Sequence, residues 1–502
     1  METLSNLRLG VETAFQWYNL FYCFIGALMG TLVGVLPGIG PTATIAMLLP
    51  ITFTLSPETA LIMLAGIYYG AQYGGSTTAI LLNLPGEASS AVTAIDGYQM
   101  ARMGEGGPAL AIAAIGSFFA GTVATFVIVF SAPLLTSVAL KFGPVEYFAL
   151  ITFGLVCSVT LAHGSILKAV MMIVLGLLLG MVGTDISSGV QRFTFGQLGL
   201  MEGVNVVALS VGIFGLSEVF RNFERAGDHE GATVLKLGRL MPSAKQFRAS
   251  SGPILRGTVL GSLLGVLPGG GALLSSFASY AMEKRLSKTP ERFGKGAIEG
   301  VAGPESANNA GSQTSFIPML TLGLPSNAVM AMMIGAMIMQ GITPGPAVAA
   351  THPTLFWGLI ASMWVGNLML VILNLPLVGL WVKLLTVPYW ALFPAIVAFS
   401  SIGIYSVNSV PFDLYVLVAA GLGGYLLIRM GFEVTPLLLG FVLGPMMEEY
   451  LRRAMVLSRG DPMAFLTSPI SAFFLICGLI MLVMAARPSV RRKRAEIFVE
   501  ED

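Results

Sequence analysis

Residues 26–40 read GALMGTLVGVLPGIG, and residues 257–271 read GTVLGSLLGVLPGGG. The two stretches are identical at nine of fifteen positions. Each has a glycine at every fourth position, which lets a helix pack closely against another helix in lipid. Each then reaches Pro-Gly-x-Gly, which removes a helical hydrogen bond and opens the backbone within apolar sequence. The pattern predicts two related helices, each interrupted at the same point.

The composition places these helices in a membrane. Of 502 residues, 55% are hydrophobic and 11% are charged, and the mean hydropathy is +0.81. Soluble proteins have about 25% charged residues, so a soluble enzyme is excluded. Counting the long apolar runs predicts an all-α integral membrane protein, a polytopic helical bundle of about 10 to 13 spans.

The self-similarity continues in the same order along the chain. GAQYGGSTT (70–78) resembles SANNAGSQT (306–314), and LNLPG (82–86) resembles LGLPS (322–326). We therefore expect two structural repeats separated by a polar linker. The predicted divisions are a first membrane repeat (1–220), a charged cytoplasmic linker (221–252), a second membrane repeat (253–486) and a cytoplasmic tail, basic then acidic (487–502).

Charge predicts how the repeats are oriented. The second glycine stretch is followed by five basic residues, namely Lys284, Arg285, Lys288, Arg292 and Lys295. The corresponding residues 51–64 of the first half contain neither lysine nor arginine. Because basic segments favour the cytoplasm, we expect the two repeats to be inverted, as in many secondary transporters.

The two interruptions predict re-entrant or broken helices. Non-helical backbone at membrane depth must line a cavity or be buried in protein. Interruptions at corresponding positions of two halves are typical of transport sites. The alternative is that both are ordinary loops at the membrane surface.

The most polar stretch outside the charged loops, residues 303–315, leads directly into an apolar run. Hydroxyls, amides and the N-termini of broken helices suit a carboxylate, and free oxygens suit Na⁺. The alternative is that serines and threonines bond back to their own helix. The candidate substrate-binding residues are Gly38, Gly40, Pro41, Thr42, Thr44, Gly75, Ser76, Thr77, Thr78, Gly269, Gly270, Gly271, Ser306, Asn308, Asn309, Ser312, Gln313 and Thr314.

Glu305 and Asn309 are the candidate ligands of a coupling ion. An acid in such a segment is costly unless it is paired, hydrated or functional, although a glutamate in a surface loop is an alternative. The candidate binding segments contain no lysine or arginine, so helix-end dipoles and co-bound cations would neutralise an anionic substrate. We expect Na⁺ or H⁺ as the coupling ion, with no other cofactor, no metal site and no catalytic residues.

The paired glycine stretches, GPESANNAG (303–311) and LGLPSNAVMA (322–331) resemble the large membrane subunit of tripartite tricarboxylate transporters, the TctA family. The likeness covers almost the whole chain, and the site residues that it implies lie in the matching segments 37–44, 75–78, 268–271 and 305–314. It implies a multi-pass secondary transporter of the bacterial inner membrane. Its partners would be a small membrane subunit (TctB-type) and a periplasmic solute-binding protein (TctC-type) that delivers citrate or related carboxylates.

The sequence as a whole favours a permease that imports di- or tricarboxylates on a cation gradient. A channel or passive pore for small organic anions is the alternative, and a membrane enzyme ranks third because no convergent catalytic set is present. The bilayer and the carboxylate are the expected non-protein partners, and a homo-oligomer is left open. We expect no nucleic-acid partner; the net charge of +1 is itself uninformative, because the positions of the basic residues matter more.

Overall fold

The computed structural model describes residues 2–36, 40–162, 165–185, 187–224, 238–267, 271–384 and 389–486. These residues form an all-α fold, as the sequence predicts, with a single two-stranded hairpin in the described part. The predicted tail (487–502) and residues 225–237 of the predicted linker lie outside the described residues.

The helices of the N-terminal part are α1 (Glu2–Ala14), α2 (Trp17–Val35), α3 (Pro41–Thr52), α4 (Pro57–Leu82), α5 (Ala91–Arg102), α6 (Gly106–Ala139), α7 (Pro144–Leu161), α8 (Ile166–Gly180), α9 (Val206–Ser210) and α10 (Ser217–Glu224). A π-helical turn at Val211–Leu216 joins α9 to α10. Strands β1 (Gly183–Thr184) and β2 (Gln191–Arg192) pair antiparallel between α8 and α9.

The helices of the C-terminal part are α11 (Ala244–Leu264), α12 (Gly271–Leu286), α13 (Glu299–Thr314), α14 (Phe316–Leu322), α15 (Ala328–Met339), α16 (Val348–Thr351), α17 (Pro353–Asn374), α18 (Val378–Leu384), α19 (Tyr389–Asn408), α20 (Phe412–Arg429), α21 (Thr435–Leu457), α22 (Ala464–Thr467) and α23 (Pro469–Ala486).

Four helices among the described residues are long and apolar enough to cross a membrane. They are α2, α6, α17 and α20. Five shorter apolar helices accompany them, within α3, α7, α8, α15 and α23. These helices make the chain a membrane protein, while the count of about 10 to 13 spans stays a prediction.

Local signals explain where the central helix α4 begins and ends. The Ser56 side chain accepts a hydrogen bond from the Thr59 amide, and Pro57 occupies the first turn, where its missing N–H is not needed. The helix ends at Asn83, whose φ of 57° is left-handed, a conformation that asparagine tolerates better than most residues. These ends place a non-helical loop, residues 83–87, between α4 and a short 3₁₀ turn before α5.

The glycine ladders bring helices into backbone contact, as the sequence predicts. A Cβ atom at Gly26 or Gly30 of α2 would overlap the carbonyl oxygens of Met63 or Ile67 in α4. A Cβ atom at Gly261 of α11 would likewise overlap the Ala307 carbonyl oxygen in α13. Each glycine stretch therefore packs along the long helix that follows it in its own half.

The two parts of the chain are interleaved. Helix α6 packs against α11 and α13, whereas α17 packs against α2 and α4. Helix α21 packs against α8, and α20 packs against the π-helical turn. Each part therefore supplies packing surface to the other, and α4 and α13 lie in contact at the centre.

Candidate functional site

Both predicted interruptions fall between helices. Helix α2 ends at Val35 and α3 begins at Pro41, and α11 ends at Leu264 and α12 begins at Gly271. The central residues of each interruption, 37–39 and 268–270, lie outside the described residues. The predicted site residues Gly38, Gly269 and Gly270 are among them, so their placement stays a prediction.

The residues beside the first interruption are buried within the protein. Val35 and Leu36 are buried, and so are Pro41 and Thr44 on the other side. The Gly34 carbonyl oxygen accepts a hydrogen bond of 3.4 Å from Thr78 of α4. These residues on both sides of the interruption are therefore packed against neighbouring helices, and whether the interruption itself is a surface loop stays a prediction.

The polar stretch of the second half forms most of helix α13. Every residue from Gly300 to Thr314 is buried. Buried polar groups need partners, and α13 obtains them from the helices around it, which are α4, α5, α6, α11 and α12. The alternative of a surface-loop glutamate is wrong, because Glu305 lies inside this helix with 0% of its surface exposed.

Glu305 joins three helices. The Ser76 hydroxyl of α4 donates a hydrogen bond of 2.6 Å to Oε2 of Glu305. The Thr93 hydroxyl of α5 donates a hydrogen bond of 2.5 Å to Oε1. Both carboxylate oxygens of Glu305, on α13 of the C-terminal part, thus accept hydrogen bonds from hydroxyls of the N-terminal part.

Asn309 lies one turn after Glu305 and links α13 to α6. Its Nδ2 donates to Oγ of Ser117 over 2.7 Å and to the main-chain oxygen of Glu305 over 3.1 Å. The two candidate ligands of the coupling ion are therefore neighbours. Asn309 contacts the main chain of Glu305, whereas the Glu305 carboxylate is hydrogen-bonded to Ser76 and Thr93.

A second carboxylate, which the sequence reasoning missed, lies beside α13. Glu87, in the loop after α4, accepts a hydrogen bond of 3.2 Å from Nδ2 of Asn308 and another from the Ser89 hydroxyl. The Ser89 hydroxyl also lies 3.2 Å from Oε1 of Gln72. The available signal was an acid directly after LNLPG, the segment that the repeat pattern marks as equivalent to LGLPS.

Besides Ser76, whose hydroxyl also lies 3.2 Å from the Gln72 carbonyl oxygen, four of the predicted hydroxyl residues bond back to their own helix. Thr44, Thr78, Ser306 and Thr314 donate to main-chain oxygens of Gly40, Gly75, Ala302 and Ala310 at 3.1, 3.0, 2.8 and 3.0 Å. The local alternative weighed for serine and threonine describes these four side chains.

The remaining predicted residues are distributed around the same region. Ser312 and Gln313 are buried in α13, and Oε1 of Gln313 has no hydrogen-bond partner among the described residues. Gly40, Pro41, Thr42 and Gly271 mark the starts of α3 and α12. Gly75 packs beside Glu87, where a Cβ atom would come within 3.2 Å of the glutamate Cγ.

A small cavity lies beside the Glu305 cluster. It has room for about one water molecule. Its lining residues come from α4, α6 and α17, and they are Tyr73, Ser76, Thr77, Leu110, Ala113, Ala114, Ser117 and Asn374. Ser76, which contacts Glu305, and Ser117, which contacts Asn309, thus also line a cavity large enough for one water molecule.

Comparison with known families identifies the protein class. The profile of the tripartite tricarboxylate transporter TctA family matches residues 20–439. The chain belongs to the TctA family. It is therefore a large subunit of the tripartite tricarboxylate transporter type, in a family of transporters, and such systems generally include TctB and TctC partners.

Two relatives of this TctA-family chain come from Agrobacterium vitis. One is described as an uncharacterized 52.8 kDa protein in TAR-I ttuC' 3'region and is 66% identical over 502 residues, covering 100% of both chains. The other, an uncharacterized protein in TAR-II ttuC' 3'region, is 66% identical over 242 residues, 48% of this chain and 100% of its own. No solved structure matches the chain.

Proposed function

We propose that this TctA-family protein is the permease of a binding-protein-dependent secondary transporter in the bacterial inner membrane. It imports di- or tricarboxylates of the citrate type, driven by a gradient of Na⁺ or H⁺. Its partners are a small TctB-type membrane subunit and a periplasmic TctC-type solute-binding protein. Family membership supports the transport role, and the arrangement of the buried polar residues supports the coupling to a cation.

The burial of Glu305 is the observation that carries the proposal. A carboxylate with 0% exposure is costly unless something neutralises it. Its described partners are the neutral hydroxyls of Ser76 and Thr93, and none of the ion pairs in the described part of the chain includes it. A cation that binds and leaves during transport would supply the missing charge. Asn309, one turn away, is the proposed second ligand.

Reciprocal contacts of two helices, α5 and α15, support the two structural repeats. Asp96 of α5 accepts hydrogen bonds from the Gly294 and Gly296 amides, in the loop at the base of the α11–α12 pair. At the end of α15, Gln340 donates to the carbonyl oxygens of Thr52 and Leu55, at the base of the α2–α3 pair. The N-terminal part thus sends α5 to the loop after α12, and the C-terminal part sends α15 to the loop after α3, as two copies related by a twofold axis would. The inversion of the two copies is proposed from the charge pattern of the sequence.

The basic residues favour an orientation for this arrangement. Arg239, Lys245 and Arg292 line one surface depression where α11 and α13 begin. Because positive residues favour the cytoplasm, this face is proposed as the inner one. In this orientation α2 and α3 would enter the membrane from the periplasmic side, and α11 and α12 would enter it from the cytoplasmic side.

The substrate is proposed to bind without a fixed basic side chain. The starts of α3 and α12 leave backbone N–H groups without helical partners, and helix N-termini attract anions. Gly40, Pro41, Thr42 and Gly271 mark these two starts. Neutral side chains of α4 and α13 would complete the carboxylate site, and a co-bound cation would balance the remaining charge.

Uptake into reconstituted vesicles tests the proposal. The protein is reconstituted with its small subunit, and entry of radiolabelled citrate and of a dicarboxylate is measured with and without the solute-binding protein. Separate arms impose a Na⁺ gradient, a proton gradient or neither. We expect accumulation above the external concentration only with the solute-binding protein and one of the two gradients. Entry that merely equilibrates, independent of gradient and binding protein, would instead indicate a channel or passive pore.

A further inference from the structure

We infer that Glu87, Gln72, Ser89 and Asn308 form a second cation site, separate from Glu305, which binds a monovalent metal ion of the Na⁺ class. The inference deepens the proposed cation coupling and rests on it. Glu87 and its three neighbours have no assigned role in the sequence interpretation, apart from Asn308 as a candidate substrate ligand.

The four residues form one continuous hydrogen-bonded group. Oε1 of Gln72 lies 3.2 Å from the Ser89 hydroxyl, which donates to Oε1 of Glu87. Nδ2 of Asn308 reaches the same Glu87 oxygen over 3.2 Å. Polar side chains from α4, the following loop and α13 thus form one group, in which Ser89 and Asn308 contact the carboxylate directly and Gln72 contacts Ser89.

Asn308 supplies an independent sign of a missing ligand. The residue is 0% exposed, and its Oδ1 has no hydrogen-bond partner in the described part of the chain. Its amide nitrogen is committed to Glu87, so the free oxygen lies next to the same carboxylate. A buried acceptor without a donor is costly, and a bound cation would satisfy it.

The charge of the group selects the class of ion. One carboxylate with amide and hydroxyl oxygens carries a charge of about −1, which matches a monovalent hard cation. Calcium and magnesium sites usually add further carboxylates or substrate phosphates. The described residues contain no cluster of three or more histidine, cysteine, aspartate or glutamate side chains, the ligands typical of divalent and transition-metal sites.

The surroundings hold Glu87 in place and leave it accessible. Gly75 of α4 packs closely against Glu87, because a Cβ atom there would come within 3.2 Å of the glutamate Cγ. Glu87 is only partly buried, and Asn83, Pro85 and Ala88 in the same segment are exposed. An ion can therefore approach Glu87 from outside, in contrast to the sealed position of Glu305.

The new site shares both supporting helices with Glu305. Gln72 and Ser76 lie on successive turns of α4, and the Ser76 hydroxyl is 3.2 Å from the Gln72 carbonyl oxygen. Asn308 and Glu305 lie one turn apart on α13. Binding of a cation at Glu87 would therefore order the same two helices that hold Glu305.

The test is the thermal stability of the full-length protein in lipid nanodiscs, titrated with NaCl against KCl and choline chloride at constant ionic strength. The variants are Glu87→Gln, Glu305→Gln and the control Glu105→Gln, which removes a carboxylate at the start of α6. We expect Na⁺, but not K⁺ or choline, to raise the melting temperature of the wild type and of Glu105→Gln. Glu87→Gln should need about tenfold more Na⁺ for the same rise.

Ser89→Ala provides a milder second variant in case Glu87→Gln fails to fold, and it should weaken the Na⁺ response in the same direction. Glu305→Gln should keep a Na⁺ response. The inference is overturned if Na⁺ does not stabilise the wild type, or if Glu87→Gln retains the wild-type Na⁺ dependence. Gradient-driven uptake of the wild type in vesicles is a separate measurement, and accumulation there together with either negative result would exclude this site while supporting the proposed function.

Discussion

Asp96 illustrates how a single residue fixes the relation between the two parts of the chain. It is fully buried, and its Oδ1 accepts hydrogen bonds from the amides of Gly294, Gly296 and Ala297 at 2.9, 2.8 and 2.8 Å. The Tyr280 hydroxyl donates to Oδ2 over 2.9 Å. The Asp96 carboxylate therefore connects the loop before α13 to helix α5 through hydrogen bonds.

Replacing Asp96 by alanine should destabilise the protein strongly. Three amide N–H groups would lose their acceptor, and the loss at the buried Ala297 amide alone costs about 1–3 kcal/mol. We expect a clearly lower melting temperature in detergent and less monodisperse protein. Asp461→Ala, at an exposed position whose carboxylate accepts from the Met463 amide, is the control and should change little. A wild-type melting temperature for Asp96→Ala would contradict this role.

The residues of the site show what sequence reasoning can and cannot reach. Glu305 stood out because an acid within a polar stretch beside apolar sequence needs an explanation. Glu87 did not, because its partner Asn308 is 221 positions away in the chain. Thr93 and Ser117 were missed for the same reason, since each becomes recognisable only when α5 and α6 lie against α13.

At the scale of helices, the glycine ladders determine which elements touch. The ladder of α2 faces the backbone of α4, and the ladder of α11 faces the backbone of α13. Without side chains between them, the helix backbones approach closely and gain van der Waals contact, which drives helix association where lipid gives no hydrophobic force. Glycine spacing predicted a close helix contact on this face, but it did not predict which helix would supply it.

Adding one methyl group to the ladder should separate this effect from helix propensity. In Gly30→Ala the new Cβ would overlap the Ile67 carbonyl oxygen, which typically costs about 1–3 kcal/mol as overpacking. In the control Gly423→Ala, within α20, the new methyl group meets no atom within 4 Å. We expect a lower melting temperature for Gly30→Ala only. Equal melting temperatures for both variants would show that the α2–α4 contact contributes little.

The nature of α13 was less accessible to sequence reasoning. Its residues lack an apolar stripe, so hydrophobic periodicity gives no signal for a helix. The helix forms because its neighbours satisfy its polar side chains and because small residues such as Gly303 and Gly311 let them approach. The Pro-Gly-x-Gly motif, by contrast, predicts the ends of α2 and α11 directly, because proline and glycine act locally.

At the scale of the whole molecule, the two parts meet at the polar core and exchange helices around it. Helices α6 and α17 each cross to the other part, while Glu305, Ser76 and Thr93 join α13 to α4 and α5 at the centre. Under the proposed function, loading and release of a cation at Glu305 would change how strongly these helices are held together. Carboxylate movement would then be tied to the cation gradient.

The most direct measurement compares accumulation with exchange in vesicles containing Glu305→Gln. Gradient-driven uptake of the labelled carboxylate is measured beside exchange of labelled for unlabelled solute without any gradient, with Glu105→Gln as the matched control. We predict that Glu305→Gln still exchanges solute but that its gradient-driven accumulation falls at least about tenfold. Glu105→Gln should behave as wild type. Accumulation by Glu305→Gln with the wild-type dependence on the cation gradient would contradict the coupling role of this carboxylate.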